Sequence, residues 1–365
     1  MANLQGGIIG LPNAGKSTIF NALTQGKAQV AEYPFCTISP NKGIVLLPDP
    51  RLDKLAEIIN PEIVTPATVE VVDVAGLIRG AHRGEGLGNE FLSRIRGVDL
   101  LIHVVRCFEG KAPHPEGSID PVRDVETIKT EIFLSDLGIL QKRLTRLNKI
   151  LKSPIKQTDK IYLEALKKVE KALNNNFYPG DVISSEEYEL IKNEGFLCLK
   201  PVIYIANIEE KDINSPSEHL KKFREFAKRE GLEVIEVCAK LEMELAEFEE
   251  EEREIFLKEM GIKERAIDKL AKEIAEKLGL ITFFTVTGGK EIRAYSIKKG
   301  TSAVEAAGKV HSDMKKGFIK AEVIEAEELI KTGDLKKAKA EGKVKLEGKD
   351  YLVKDGDIIH FHFAL

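Results

Sequence analysis

The sequence GLPNAGKS at residues 10–17 constrains the fold of this chain more than any other feature. Its spacing is G-x-x-x-x-G-K-S, it follows an apolar run and it precedes a helical pattern, which is the context of a phosphate-binding loop. Glycines let backbone N–H groups turn toward phosphate oxygens, and the helix N-terminus adds its dipole. We therefore predict an α/β fold of the P-loop NTPase class. The predicted nucleotide-binding residues of this loop are Asn13, Ala14, Gly15, Lys16, Ser17 and Thr18.

Two further motifs supply residues that a nucleoside triphosphate and its metal require. Lys16 is expected to contact the β- and γ-phosphates, and the Ser17 hydroxyl to ligate Mg²⁺. A D-x-x-G motif closes an apolar run, so Asp73 is expected to hold Mg²⁺ through water and the Gly76 amide to meet the γ-phosphate. Thr37 lies between the two motifs, where a switch threonine ligates Mg²⁺ in the triphosphate state. The sequence thus predicts a magnesium site formed by Ser17, Thr37 and Asp73.

Short apolar runs alternate with helical patterns up to about residue 110 and again from 196, as in a largely parallel α/β sheet. The predicted strands of this part are 4–9, 69–74, 100–105, 201–206 and 233–237. Its predicted helices are 17–23, 90–96, 217–230 and 264–278. Between 125 and 173 the apolar residues recur at helical spacing on both sides of Pro154, which predicts an antiparallel helical hairpin inserted into the α/β domain.

Residues 281–365 form a separate pattern, so we place a domain boundary near residue 280. Short apolar runs dominate this stretch, and a single helical pattern interrupts them at about 303–315. The predicted strands are 283–286, 293–297, 344–346, 351–353 and 358–363.

Composition excludes several classes of protein. Lys+Arg is 55 and Asp+Glu is 59, so the formal net charge of −4 rules out a histone-like protein. No apolar stretch approaches the roughly 18 residues of a membrane helix, and the N-terminus has no signal-peptide pattern. The four cysteines form no C-x-x-C pair. We therefore expect a cytoplasmic protein without a membrane segment.

Charge is nevertheless segregated along the chain. Between residues 139 and 172 there are ten Lys or Arg against three Asp or Glu. A basic helical face with few aromatics suits phosphate contact better than base reading. The hairpin is therefore a candidate RNA-binding surface, and a solvated basic face is the alternative interpretation.

The base-recognition motif departs from that of GTPases, which read guanine with Asn-Lys-x-Asp after a strand. Here the equivalent position holds Asn207-Ile208-Glu209-Glu210. The lysine is absent and the acid is longer by one methylene, so the bidentate guanine contact is weakened and guanine selectivity should relax or reverse. Downstream, Cys238-Ala239-Lys240 occupies the place of the Ser-Ala-Lys base loop. The predicted base-site residues are Asn207, Ile208, Glu210, Cys238 and Ala239.

These motifs together resemble the Obg-like ATPase (YchF) family of translation-factor-related P-loop NTPases. The similarity covers essentially the whole chain. It is carried by GLPNAGKST, YPFCTI, DVAGLIRGAHRGEGLGNEFL, HVVRCF, the altered base motif and the C-terminal GKDYLVKDGDIIHFHF.

The resemblance implies a domain organisation, a substrate and partners. It implies a G domain (1–122 and 196–280) interrupted by a coiled-coil hairpin (123–195) and followed by a ubiquitin-like β-grasp TGS domain (281–365). It implies that ATP is accepted alongside GTP, with Asn207 and the Ile208 backbone meeting the adenine edge. It also implies a monomer that is associated with ribosomes and with stress responses. We expect contact with ribosomal RNA in the basic hairpin and in the TGS domain.

The catalytic group is the least constrained part of the site. A Ras-type enzyme has a water-orienting glutamine after D-x-x-G, whereas this chain has Leu77, which cannot position water. His114 matches a family histidine proposed for that task, and a histidine can orient water near neutral pH. A solvated loop histidine is the alternative, and His82 is a second candidate. With Lys16 and Gly76, His114 completes the predicted catalytic set.

Asn13 matches an asparagine that helps to hold K⁺ beside the phosphates in some glutamine-lacking GTPases, so the predicted cofactors are Mg²⁺ and K⁺. Three functions remain open on the sequence alone. They are a slow ribosome-associated ATPase that switches conformation, a nucleotide-gated ribosome-binding module with incidental hydrolysis, and a conventional GTPase.

Overall fold

The computed structural model describes residues 4–24, 41–74, 87–150 and 157–364, and for 87–90 and 148–150 it describes the backbone alone. The chain forms two compact units. The first unit comprises Met1–Leu4, Leu23–Val71 and Glu250–Leu365, and the second comprises Gln5–Ala22 and Val72–Glu249.

The strands and helices follow in chain order. The strands are β1 (Gln5–Ile9), β2 (Lys42–Leu47), β3 (Ile63–Thr65), β4 (Ala67–Asp73), β5 (Leu100–Arg106), β6 (Val202–Asn207), β7 (Val234–Val237), β8 (Leu280–Thr287), β9 (Glu291–Lys298), β10 (Phe318–Glu325), β11 (Lys345–Glu347) and β12 (Asp357–Phe363). The helices are α1 (Lys16–Thr24), α2 (Pro50–Ile59), α3 (Leu87–Arg96), α4 (Pro121–Ile150), α5 (Gln157–Asn174), α6 (Ser185–Ile191), α7 (Glu218–Glu230), α8 (Ala239–Leu245), α9 (Glu250–Glu259), α10 (Ala266–Lys277), α11 (Ala303–Val310), α12 (Ser312–Lys316), α13 (Ala326–Thr332) and α14 (Leu335–Ala340).

Parallel strands in the order β1-β5-β6-β7 form the centre of the second unit. All seven residues of β5 are buried, as expected for a strand covered on both faces. The register aligns the carboxyl ends of the strands, because Arg106 pairs with Asn207 and Asn207 pairs with Val237. The loops that leave β1, β5, β6 and β7 therefore meet at one edge, where open α/β sheets bind their ligands.

The predicted hairpin is confirmed as the helices α4 and α5, which contact each other through a shared apolar cluster. Asp136 on α4 is fully buried; it accepts hydrogen bonds from Arg96 Nη1 (3.0 Å) and from the Cys198 N–H (2.8 Å). Because a buried carboxylate needs such partners, this group fixes the hairpin to α3 and to the segment before β6. None of the described helices, including the 30-residue α4, is long and apolar enough to cross a membrane.

A second sheet, of order β11-β10-β12-β8-β9-β3, organises the first unit. Its central pair, β12 and β8, is parallel, whereas β8 pairs antiparallel with β9 and β12 with β10. Phe283, Phe361 and two alanines of α11, Ala306 and Ala307, share one apolar cluster, so this helix covers one face of the sheet. Within this sheet the strands β9-β8-β12-β10-β11 are neighbours in that order, and α11 follows β9 in the chain. The assignment of residues 281–365 as a TGS domain stays a prediction.

The single predicted helix of this region is wrong, because α13 and α14 follow the unpredicted strand β10, and two further predicted elements also differ. Residues 351–353 do not form a strand: Leu352 makes one isolated bridge with Ser302, because turns closed by the Tyr351 and Lys354 N–H groups bracket the segment. The predicted helix over 303–315 breaks at His311, whose backbone is extended and whose Nδ1 accepts the Asp313 N–H at 3.2 Å. That bond caps α12, so one predicted helix becomes two.

His103 is a buried titratable group in the middle of β5. Its side chain is 3% exposed and lies 5.4 Å from the Tyr204 ring, measured between centroids. Burial and, secondarily, the charge of Lys16 lower the pKa of His103 to about 3. The imidazole is therefore neutral in the folded protein near neutral pH, while in the unfolded chain it gains a proton below about pH 6.5.

This difference predicts a loss of stability in mild acid. The unfolded chain binds more protons than the folded protein between about pH 6.5 and pH 3, so the free energy of unfolding falls as pH drops through this window. We expect His103 to account for about 2 kcal/mol of the loss between pH 7 and pH 5. Urea unfolding at pH 7 and pH 5 measures the free energy of unfolding, and we expect its loss on acidification to be smaller by that amount in His103→Gln than in the wild type. Equal losses in both proteins would contradict the assignment.

Candidate nucleotide-binding site

The phosphate-binding loop joins β1 to α1 in a conformation that its glycines permit. The φ angles of Gly10, Asn13 and Gly15 are +153°, +63° and +92°. A Cβ at Gly10 would lie 2.4 Å from Val104 O, and one at Gly15 would lie 2.1 Å from Asn207 Nδ2. Both positions therefore require glycine for backbone conformation and for close approach.

Lys16 is folded back over its own loop. Its Nζ donates to Leu11 O at 2.9 Å, and the residue is only 8% exposed. Burial lowers the pKa of Lys16, and the Asp73 charge opposes this effect. A polyphosphate would offer this desolvated ammonium a stronger acceptor than one carbonyl oxygen.

Ser17 and Asp73 lie together beside the loop. The Ser17 Oγ donates to Asp73 Oδ2 at 2.9 Å, although 56 residues separate them. A hydroxyl and a carboxylate are the hard oxygen ligands that Mg²⁺ prefers, so this pair fits the predicted metal. Thr18 follows in the first turn of α1, where the helix N-terminus favours an anion.

Asn207, the last residue of β6, connects three loops. Its side-chain Nδ2 donates to Ala14 O (3.0 Å), and its Oδ1 accepts from the Ala239 N–H (3.3 Å). Its backbone carbonyl accepts from the Cys107 N–H at 2.9 Å. The residue is 4% exposed. In this structure the Asn207 amide therefore bonds to the protein on both sides, and its contact with an adenine edge stays a prediction.

Of residues 208–210 in the base motif, two contact other parts of the protein and one is exposed to solvent. Ile208 is 5% exposed, and its N–H donates to Val237 O. The Glu209 carboxylate accepts the Glu109 N–H at 2.9 Å and pairs with Lys211. Glu210 is exposed, so it is the carboxylate of this motif that a base can reach.

Cys238 precedes α8 in the predicted base loop. The residue is 7% exposed, and burial and the nearby Glu210 carboxylate raise the pKa of its thiol. The thiol is therefore neutral at physiological pH, and its contact with a nucleotide base stays a prediction.

His114 lies in the loop after β5, and the structure joins this loop to the phosphate-binding loop. The Asn13 Nδ2 donates to Pro113 O at 2.9 Å. The His114 side chain is 3% exposed, with its Nε2 2.8 Å from Asp124 Oδ2. Its Nδ1 accepts the Glu116 N–H at 3.2 Å, so a neutral ring carries its proton on Nε2. Burial raises the pKa of Asp124, and the hydrogen bond from His114 opposes this effect.

The structure adds residues to this region that we did not predict. Asp124, at the start of α4, holds His114, and the buried Arg106 contacts the loop that carries it. A buried arginine at the end of an apolar strand is the signal that could have drawn attention to Arg106, since such a charge needs dedicated partners. Thr37, Gly76 and the alternative His82 lie outside the described residues, as do Cys36 and Leu77.

The strand-loop-helix motif, the Ser17–Asp73 pair and the base loops at one edge of a parallel sheet define a P-loop nucleotide-binding domain of the GTPase type. A family model described as "50S ribosome-binding GTPase" matches residues 5–143. A second model, for the C-terminal part of YchF GTPases and described as "Protein of unknown function (DUF933)", matches residues 280–364.

Individual relatives cover the whole chain. "Ribosome-binding ATPase YchF" of Bacillus subtilis is 48% identical over 365 residues and covers 99% of both chains. The protein of the same name from Escherichia coli O157:H7 is 45% identical over 360 residues, or 98% of both. The solved Schizosaccharomyces pombe YchF GTPase superposes with a TM-score of 0.89 and 34% identity, over 99% of this chain and 98% of that one. This chain therefore belongs to the YchF family.

The geometry predicts the effect of removing the Asn207 side chain. Asn207→Ala leaves the Ala14 carbonyl and the Ala239 N–H without a buried partner, each at a cost of roughly 1–3 kcal/mol. We expect ATP and GTP affinities measured by titration calorimetry to fall together, by roughly tenfold or more, because both loops shift for either nucleotide. Asn214→Ala, at an exposed asparagine nearby, is the control. A change in the ratio of the two affinities would contradict this account and favour direct base reading.

Proposed function

We propose that this protein is a slow, Mg²⁺-dependent nucleoside triphosphatase that accepts ATP as well as GTP and acts as a conformational switch on the ribosome in the cytoplasm. The observation that carries the proposal is the Ser17–Asp73 oxygen pair beside a complete phosphate-binding loop. Ser17, Thr37 and Asp73 would hold Mg²⁺. When bound, the metal would neutralise charge on the β- and γ-phosphate oxygens.

We infer slow hydrolysis from the residue that follows the D-x-x-G motif in the sequence. Leu77 replaces the usual glutamine, so the proposal assigns water orientation to His114. In the described conformation both ring nitrogens are hydrogen-bonded and the side chain is almost fully buried. Asp124 can keep the Nε2–H while a water replaces the Glu116 N–H at Nδ1, which leaves the Nδ1 lone pair to accept the proton of that water.

The proposed K⁺ site uses the side-chain oxygen of Asn13. The Asn13 Nδ2 donates to Pro113 O, so Oδ1 is the atom of that side chain left for K⁺. A carbonyl-type oxygen suits a hard cation.

Nucleotide choice depends on a small number of atoms. The relatives named above are called an ATPase in bacteria and a GTPase in fission yeast. In this chain Ile208 cannot supply the polar contact of a lysine, and the Glu210 carboxylate is longer by one methylene than the aspartate that reads guanine. Losing these contacts removes the preference for guanine rather than creating a strong preference for adenine. We therefore propose that ATP is bound at least as tightly as GTP.

Restoring the guanine-reading motif tests this proposal. Ile208→Lys combined with Glu210→Asp recreates Asn-Lys-x-Asp, and we expect the ratio of kcat/KM for GTP over ATP to rise at least tenfold, or about 1.4 kcal/mol. Phosphate release is measured with each nucleotide. Glu209→Asp shortens the neighbouring carboxylate and is the matched control, with an unchanged ratio expected. An unchanged ratio in the double variant would mean that this motif does not select the base.

The ribosome is the proposed partner, and the bacterial relatives carry ribosome binding in their names. Lys142 and Arg146 are one turn apart on α4, are exposed and form no ion pair within the described part of the chain. On α5 the exposed lysines 160, 167 and 171 share one face. Arg143 differs because it pairs with Glu194. Among the described residues, Lys142 and Arg146 are therefore free to contact phosphates, and the TGS domain is the second proposed RNA contact.

Charge reversal tests this surface. Lys142→Glu with Arg146→Glu should reduce co-sedimentation with ribosomes and flatten its dependence on salt, because fewer counterions are released on binding. Lys221→Glu with Lys228→Glu on α7 is the control at equal charge change. Unaltered sedimentation of the hairpin variant would remove the hairpin from the proposal. Ribosome-stimulated hydrolysis favours the switch, while nucleotide-dependent binding without stimulation favours a binding module with incidental hydrolysis.

A further inference from the structure

Arg106 is a buried cation with an unusual set of partners. It ends β5, and the residue is 2% exposed. Its guanidinium donates to three backbone carbonyls of the following loop, those of residues 108 (3.2 Å), 110 (3.4 Å) and 112 (3.0 Å), and also to Asn13 O (3.5 Å). Within the described residues Arg106 forms no ion pair. Burying a charge with only neutral acceptors costs folding free energy. We therefore expect Arg106 to have a functional role in addition to packing.

The loop is built around this guanidinium. Carbonyls at alternate residues point inward to the planar donors, and the Arg106 Cζ lies 4.7 Å from the centre of the Phe108 ring. A Cβ at Gly110 would lie 3.3 Å from Nη2, so glycine leaves room for the close approach. A lysine has one ammonium group on a flexible stem and cannot reproduce this planar set of bonds.

Hydrogen bonds of Arg106 and Asn13 also connect this loop to His114, the proposed water-orienting residue. The Arg106–Asn13 and Asn13–Pro113 hydrogen bonds join the loop to the phosphate-binding loop, and His114 follows Pro113 directly. The position of His114 relative to the phosphates therefore depends on a loop whose shape is fixed from inside by Arg106. Errors of about 1 Å in such placement can cost a hundredfold in rate.

We propose that Arg106 is a positioning residue for nucleotide hydrolysis, which holds the 107–113 loop against the phosphate-binding loop so that His114 can orient the attacking water. The inference rests on the proposed role of His114. Arg106 acts through backbone carbonyls and does not itself touch the nucleotide.

The test compares Arg106→Lys, His114→Ala and the double variant in single-turnover and steady-state hydrolysis of Mg·ATP. We expect Arg106→Lys to lower kcat by tenfold or more while the dissociation constant of a non-hydrolysable ATP analogue stays within about threefold. In the His114→Ala background the same change should have little further effect, because the two residues act as one unit. Amide hydrogen exchange at residues 107–114 should accelerate in Arg106→Lys, a readout independent of activity.

Two further variants separate positioning from general stability. Arg96→Lys weakens another partly buried arginine, bonded to Asp136 and Ser135, and should lower the melting temperature without lowering kcat. Gly110→Ala presses on the guanidinium without removing it and should lower kcat in the same direction by a smaller factor. This variant keeps the proposal falsifiable if Arg106→Lys does not fold.

The outcomes are distinct. If His114→Ala is slow but Arg106→Lys and Gly110→Ala hydrolyse normally, the role of Arg106 is wrong and that of His114 stands. Additive losses in the double variant also overturn the inference, since Arg106 then acts independently of His114. If His114→Ala hydrolyses at the normal rate, the proposed role of His114 fails and the inference fails with it.

Discussion

The three hydrogen bonds of Asn207 are the interaction on which the nucleotide site depends. Parallel strands bring the loops after β1, β5, β6 and β7 to one edge of the sheet, but proximity alone does not fix their geometry. Asn207 bonds to the phosphate-binding loop, to the base loop before α8 and, through its backbone, to the start of the His114 loop. Each bond is buried, so losing one partner leaves another polar group unsatisfied.

This arrangement separates affinity from selectivity. The phosphate-binding loop and the Ser17–Asp73 pair are proposed to contact parts that ATP and GTP share, and Asn207 bonds to this loop at the Ala14 carbonyl. Base choice is proposed to depend on Ile208, on the exposed Glu210 and on Cys238. Because tenfold discrimination amounts to only about 1.4 kcal/mol, a change of one or two side chains is enough to move a site of this kind between nucleotides.

The sequence predicted the second unit well, because its signals are local. The phosphate-binding motif, the buried strands and the amphipathic hairpin each depend on short-range spacing, and the structure confirms them within a few residues. The first unit was predicted less completely. β10 carries Lys320, Glu322 and Glu325, so its pattern does not stand out, and His311 interrupts a helix through its own side-chain cap. Local propensity was overridden there by sheet pairing and capping.

In the candidate nucleotide site, too, local motifs were predicted from the sequence and long-range contacts were not. Residues recognised by motif, such as Ser17 and Asp73, lie where the spacing indicated. The contacts of Asn207 with Ala14, of Asn13 with Pro113 and of His114 with Asp124 join residues 10 to 193 positions apart, and no pattern along the chain encodes their partners. The two hydrogen bonds that occupy His114 likewise became visible only in three dimensions.

Equilibrium titration of the purified full chain with Mg·ATP and Mg·GTP analogues under identical conditions tests most directly whether this altered base motif accepts ATP. We expect the dissociation constant for the ATP analogue to be equal to or lower than that for the GTP analogue. A preference for GTP of tenfold or more, about 1.4 kcal/mol, would contradict it and make the protein a conventional GTPase with an unusual base motif.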